Sequence, residues 1–114
     1  MTNGSGTSWV QKLRMTTTTL PAGNYIILFD FQWMEQVLNT DNNARIQIDD
    51  SSTPWEMFGR HFGDSTGLGH YHPGGGFVYQ ALSVGSHNID MDFSGSFSSQ
   101  WYAREAKIKL WRIS

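Results

Sequence analysis

The chain has 114 residues, 39% of them hydrophobic and 14% aromatic, with eight basic and ten acidic side chains and a formal charge of -2. That length suits one hydrophobic core and the aromatic content argues against disorder, while the near-balanced charge excludes sequence-independent attraction to nucleic-acid phosphates. Zero cysteines exclude disulfides, thiol nucleophiles and thiolate metal sites.

Neither a basic, apolar leader nor an apolar run of about 18 residues is present, so no signal peptide or membrane span is expected. The leading Met is read as the start of an unprocessed chain. Residues 1–8 offer Gly, Ser, Thr and Asn with no apolar side chain after Met1, and read as a flexible N-terminal arm. Residues 9–114 read as a single domain. A first strand is expected from Trp9 to Leu20, where four consecutive Thr carry β-branches. Pro21 to Asn24 is turn chemistry. Tyr25, Ile27, Phe29, Phe31 and Trp33 then recur at the strand period, and the length of that run predicts a bend or bulge within residues 32–36. Asp41-Asn42-Asn43 reads as a turn before a strand with Ala44, Ile46 and Ile48 on one side. Trp55 to Phe62 reads as a short aromatic strand. Gly63 to Gly76, with six Gly and one Pro in fourteen residues, reads as a long loop. Strands are expected again over 77–82, 87–93 and 101–113, the last with Ala106, Ile108 and Leu110 inward and Glu105, Lys107 and Lys109 outward. With no helical periodicity, the fold expected is all-β: an antiparallel, jelly-roll-like β-sandwich of about seven or eight strands.

One internal echo accompanies this pattern. Leu20-Pro-Ala-Gly23-Asn-Tyr25-Ile-Ile27 returns 62 residues later as Leu82-Ser-Val-Gly85-Ser-His87-Asn-Ile89. A Gly turn feeding an inward ring and then an inward aliphatic suits equivalent strand starts in two facing sheets. These two phrases, with the closing Ala-Lys-Ile-Lys-Leu-Trp-Arg-Ile, resemble jelly-roll modules of virion surface proteins: tailed-phage capsid decoration or cement proteins, fibre and tail accessory proteins, and trimeric relatives of the tumour necrosis factor fold. The resemblance spans residues 16–113. It implies a non-enzymatic structural subunit that associates, as a homotrimer, on a major capsid or tail protein, made in the host cytoplasm and located in the virion.

Several constellations are candidates for chemistry. His70-Tyr71-His72 places two imidazoles on one side of an extended chain, and a trimer would bring three such pairs to its axis, by analogy with iron sites in trimeric phage fibres. The simpler reading is hydrogen-bonded His in a Gly-rich loop. A cupin enzyme would also use His-x-His on a jelly roll, but the following Glu of that motif is missing, Pro73 to Phe77 standing there instead. Asp49-Asp50 and Asp90-x-Asp92 could bind calcium or act in acid-base catalysis; alternation favours a solvent-facing row of Asn88, Asp90 and Asp92. No Gly-x-Ser-x-Gly elbow appears, and Gly74-Gly75-Gly76 lacks the Lys-Ser/Thr of a phosphate loop. An enzyme is therefore not expected, nor is any cofactor. Trp9, Trp55, Tyr71, Trp101 and Trp111 are the expected interface or binding aromatics. The alternative function is a carbohydrate-binding module or receptor-binding tip of a phage tail or fibre, stacking a glycan on Trp55 and the His70 to Phe77 loop, or on other aromatics among Trp33, Tyr79, Trp101 and Trp111. The basic final strand, with Arg104, Lys107, Lys109 and Arg112, reads either as a charged edge or as a docking strip for an acidic capsid surface.

Overall fold

The computed structural model describes residues 2–5, 8–35, 41–51, 55–60, 71–95 and 100–114. Among these residues there is no helix, and the strands are β1 (Thr2–Ser5), β2 (Val10–Thr16), β3 (Gly23–Glu35), β4 (Asp41–Ile48), β5 (Trp55–Arg60), β6 (His72–Leu82), β7 (Asn88–Gly95) and β8 (Gln100–Arg112). They form two antiparallel sheets, ordered β1-β8-β3-β6 and β2-β7-β4-β5. The sheets pack face to face as a β-sandwich. From one sheet come Ile27 and Phe31 of β3 and Trp101, Ala103 and Ile108 of β8; from the other come Ala44 and Ile46 of β4 and Ile89, Met91 and Phe93 of β7. The Phe31 and Phe93 rings meet edge to face across the gap, with centroids 4.9 Å apart. Two buried polar atoms, Trp101 Nε1 and Asn43 Oδ1, have no hydrogen-bond partner among the described residues.

Alternation alone would put half of β8 the wrong way round. Trp101 and Ala103 are buried at odd positions, whereas Ile108 is buried and Ala106 and Leu110 pack on the core at even ones. A bulge resolves the conflict. Glu105 takes a left-handed φ of 53°, and the pairing with β3 slips there, Asp30 opposing Lys107 while Gln32 opposes Arg104. One extra residue in β8 flips the side-chain phase and keeps both apolar runs inward. The irregularity expected at residues 32–36 of β3 is thus carried by the partner strand, opposite Phe31. In β2 the register slips between Gln11 and Leu13, so that Val10, Leu13 and Met15 all pack on the core despite their mixed spacing.

Several expectations need correcting. The first strand stops at Thr16; one in-register bond, from Thr17 N–H to His87 O, continues its pairing, and Thr18 and Thr19 lie outside it. Asp41-Asn42-Asn43 is not a turn but the start of β4, paired with Arg60, Gly59 and Phe58 of β5. Residues 72–76 are strand and not loop: Gly74 lies opposite Phe31, whose ring occupies the space that a side chain there would need, and Gly76 lies opposite Phe29. The remainder of the expected loop, residues 63–70, lies outside the described residues, as does His70. Thr2–Ser5 pairs with Ala103 to Gln100 of β8 within the same chain. Most consequentially, Asp90 and Asp92 do not face solvent; they are 2% and 4% exposed.

Candidate functional site

The outer faces of the two sheets are finished in opposite ways. On β2, β7 and β4 the face is a closed polar ladder. Arg14 donates from Nε and Nη2 to both carboxylate oxygens of Asp90, each at 2.7 Å, and from Nη2 to Asp50 at 3.1 Å. Arg45 Nε donates to Asp92 at 2.8 Å, and its guanidinium lies 4.5 Å from the centre of the Trp9 ring. Two carboxylates are buried because a guanidinium lies over each. The hydrogen bonds to Asp90 hold the Arg14 guanidinium even more firmly protonated than usual, against the opposing effect of its desolvation.

On β8, β3 and β6 the face is open and apolar. The register builds it row by row: Ile26 stands between Tyr79 of β6 and Trp111 of β8, Leu28 between Phe77 and Lys109, and Asp30 between Gly75 and Lys107. Trp111, Tyr79 and Phe77 are 62%, 61% and 57% exposed, and Ile113 continues the patch at 52%. Phe77 and Tyr79 touch edge to face with centroids 5.5 Å apart. Covering such rings with a partner surface would contribute roughly 1–2 kcal/mol each. Lys107 and Lys109 are exposed and make no ion pair among the described residues. Farther along, Arg104 donates to Gln32 Oε1 at 2.7 Å and stacks 3.6 Å above the centre of the Tyr71 ring.

The expected binding aromatics scatter over the molecule. Trp111 lies in the open face and Tyr71 at its charged end. Trp9 belongs to the ladder on the opposite sheet. Trp101 is fully buried at 0% exposure beside Phe93, which corrects its reading as an interface residue. Trp55 opens β5 opposite Ile46, and the disposition of its side chain lies outside the described residues. His72 opens β6 with its ring 4.8 Å from that of Trp33, while its intended partner His70 is not among the described residues; among those that are, no group of three His, Asp or Glu is placed to hold a metal ion. The basic strand β8 is not an edge, since it runs between β1 and β3. Sequence reasoning missed Ile26 and Leu28 as face residues. The signal was the unbroken run Tyr25-Ile26-Ile27-Leu28-Phe29, which supplies apolar side chains to both sides of one strand.

The chain matches no protein-family model, and no curated protein or solved structure is significantly similar to it.

Proposed function

We propose that this protein is a non-enzymatic structural subunit with jelly-roll connectivity, a virion decoration or cement subunit of the kind its sequence resembles, which assembles with further copies of itself through the outer face of β8, β3 and β6. The single observation that carries this is the contrast between the two outer faces. One sheet neutralises its charges and shields its carboxylates; the other leaves Trp111, Tyr79 and Phe77 more than half exposed in adjoining rows. Contiguous exposed apolar surface on a small domain marks an interaction site. Connectivity supports the jelly-roll assignment: β1 pairs with β8, β2 with β7, β3 with β6 and β4 with β5, as in one long hairpin rolled into two layers. Sedimentation velocity tests the proposal. Wild type is expected to sediment as an oligomer, with a homotrimer the form the resemblance implies, and Tyr79→Ser with Trp111→Ser is expected to sediment as a folded monomer. A wild-type protein that stays monomeric at high concentration would overturn it.

A second reading is favoured by the placement of Tyr79 and Trp111 in one cross-strand row on either side of Ile26. Two strand spacings separate them by about 10 Å, enough for a platform under a short glycan. On this reading the protein is a carbohydrate-binding module or receptor-binding tip. Glycan-array binding by wild type and its loss in Trp111→Ala, with the fold intact, would establish it.

A further inference from the structure

The β4–β5 connection holds two acidic residues in a conformation that suits Gly. Asp49 and Asp50 have φ of 50° and 56°, and Ser51 N–H donates to Ile48 O at 2.9 Å, which makes a β-turn at the end of β4 with left-handed conformation at both central positions. Such turns favour Asn-Gly; Asp at both positions carries strain that neighbouring structure must offset. Each carboxylate is held by a basic side chain from elsewhere in the fold. Asp50 pairs with Arg14 of β2, which is itself anchored on Asp90. Asp49 Oδ2 lies 2.6 Å from Nδ1 of His87, and its Oδ1 accepts the Asn88 N–H at 2.8 Å.

His87 is 7% exposed, and both ring nitrogens face groups that only accept. Nδ1 meets the Asp49 carboxylate and Nε2 meets the Ser83 carbonyl at 2.8 Å. A neutral ring would set one nitrogen lone pair against an acceptor lone pair, so the geometry calls for a proton on both nitrogens. The backbone around the ring is tied as well: His87 N–H donates to Thr17 Oγ1 and Thr17 N–H to His87 O, both at 2.9 Å. The charged groups around the cluster are Asp49 and Asp50 from the turn and Arg14 and Asp90 from β2 and β7. Ser83 and Thr17 contribute only uncharged groups.

We propose that the Asp49-Asp50 turn and His87 form a charge-held latch, which keeps the turn closed against the start of β7 while His87 carries its proton and Asp49 is ionised, and which releases the turn when either charge is lost. The directions of titration agree. The hydrogen bond to Asp49 and the one to Ser83 raise the pKa of His87, against the desolvation that lowers it. Asp49 suffers desolvation, which raises its pKa, yet the bonds from His87 and Asn88 outweigh this and leave it below the ordinary value. The His87 contribution is therefore complete below the unfolded histidine value of about 6.5 and is lost as pH rises through the raised folded value. The Asp49 contribution is complete above the unfolded value of about 3.9 and is lost as pH falls through the lowered one.

Amide exchange by NMR reads the latch directly, because the Ser51 N–H closes the turn and the Asn88 N–H touches Asp49. After correction for intrinsic exchange, protection of both is expected to fall about tenfold or more on passing from about pH 6 to pH 9, while that of Ile27 in β3 holds. His87→Gln should show the low protection at every pH. Asp49→Asn with Asp50→Gly supplies a turn that needs no latch, so Ser51 protection should be restored and independent of pH. The proposal is overturned if wild-type Ser51 protection is flat with pH, if His87→Gln matches wild type, or if the Asn-Gly variant leaves Ser51 unprotected.

Discussion

Tyr25 and His87 occupy equivalent positions in the two halves of the chain, and each ring hydrogen-bonds the carbonyl four residues before it. Tyr25 Oη donates to Pro21 O at 2.7 Å, and His87 Nε2 to Ser83 O at 2.8 Å. The echo is reciprocal in the backbone too, since Leu20 bridges Gly85 while Gly23 pairs with Leu82. Two repeats of one phrase thus clasp each other at one end of the sandwich and send Ile27 and Ile89 into the shared core from opposite sheets. A phenol suffices in the first copy; the imidazole of the second adds a charge.

Tyr25→Phe removes the donor to Pro21 from a ring that is 3% exposed. Urea unfolding is expected to show a loss of about 1–2 kcal/mol, with no change in slope. A neutral result would mean that water satisfies the Pro21 carbonyl and that the clasp contributes little.

Gly75 and Gly85 both have positive φ, 157° and 135°, but only Gly75 adds a steric cause of glycine dependence. A Cβ at Gly75 would lie 2.5 Å from the Phe29 carbonyl oxygen, a backbone atom with little freedom to move. At Gly85, with φ of 135°, nothing lies within 4 Å and only the backbone conformation resists substitution. Gly75→Ala is expected to destabilise by about 2–3 kcal/mol and Gly85→Ala by about 1 kcal/mol, measured as midpoints in urea. Equal losses would contradict the steric account.

Arg45→Ala should be costly because it strands Asp92, whose side chain is only 6% exposed, without its partner. A loss of about 3 kcal/mol is expected at neutral pH, and Arg45→Met with Asp92→Leu should recover most of it. Thermal melts of the two variants decide the matter: no recovery in the double variant would show that the ladder is needed for more than mutual neutralisation.

Trp101 and Trp111 are ten residues apart in one strand and should behave as opposites. Trp101→Ala empties the core and is expected to cost about 3–5 kcal/mol, whereas Trp111→Ala should fall within about 0.5 kcal/mol in the monomer. Trp111→Ala should instead shift self-association in sedimentation. A large stability loss for the monomeric Trp111→Ala protein would remove it from the binding face.

Much of the architecture was legible from the residues in order. Alternation from Tyr25 to Trp33 and the repeated Leu-x-x-Gly-x-ring-x-Ile phrase are local features, and local backbone preference together with period-two burial translates them into strands without reference to the rest of the chain. The Thr run and the Pro21 to Asn24 turn were legible only in part, since Thr17 to Thr19 lie outside β2 and Gly23 and Asn24 open β3. Binding residues were less legible, because strand periodicity says that two faces differ but not which large side chains another strand will cover. Trp101 and Trp111 look alike in sequence. The left-handed residue at Glu105 reverses the phase between them, so that one fills the core and the other stands in the open. Asp90 and Asp92 likewise read as solvent-facing until β2 and β4 bring Arg14 and Arg45 over them from 76 and 47 residues away. Amino-acid order alone determined most of the strands and, within each unbroken stretch of alternation, the inward row, since those depend on neighbours one or two residues distant. Only the tertiary structure decided which face stays apolar, which charges are buried and what holds the Asp49-Asp50 turn, since each of these depends on groups brought together by pairing between distant strands.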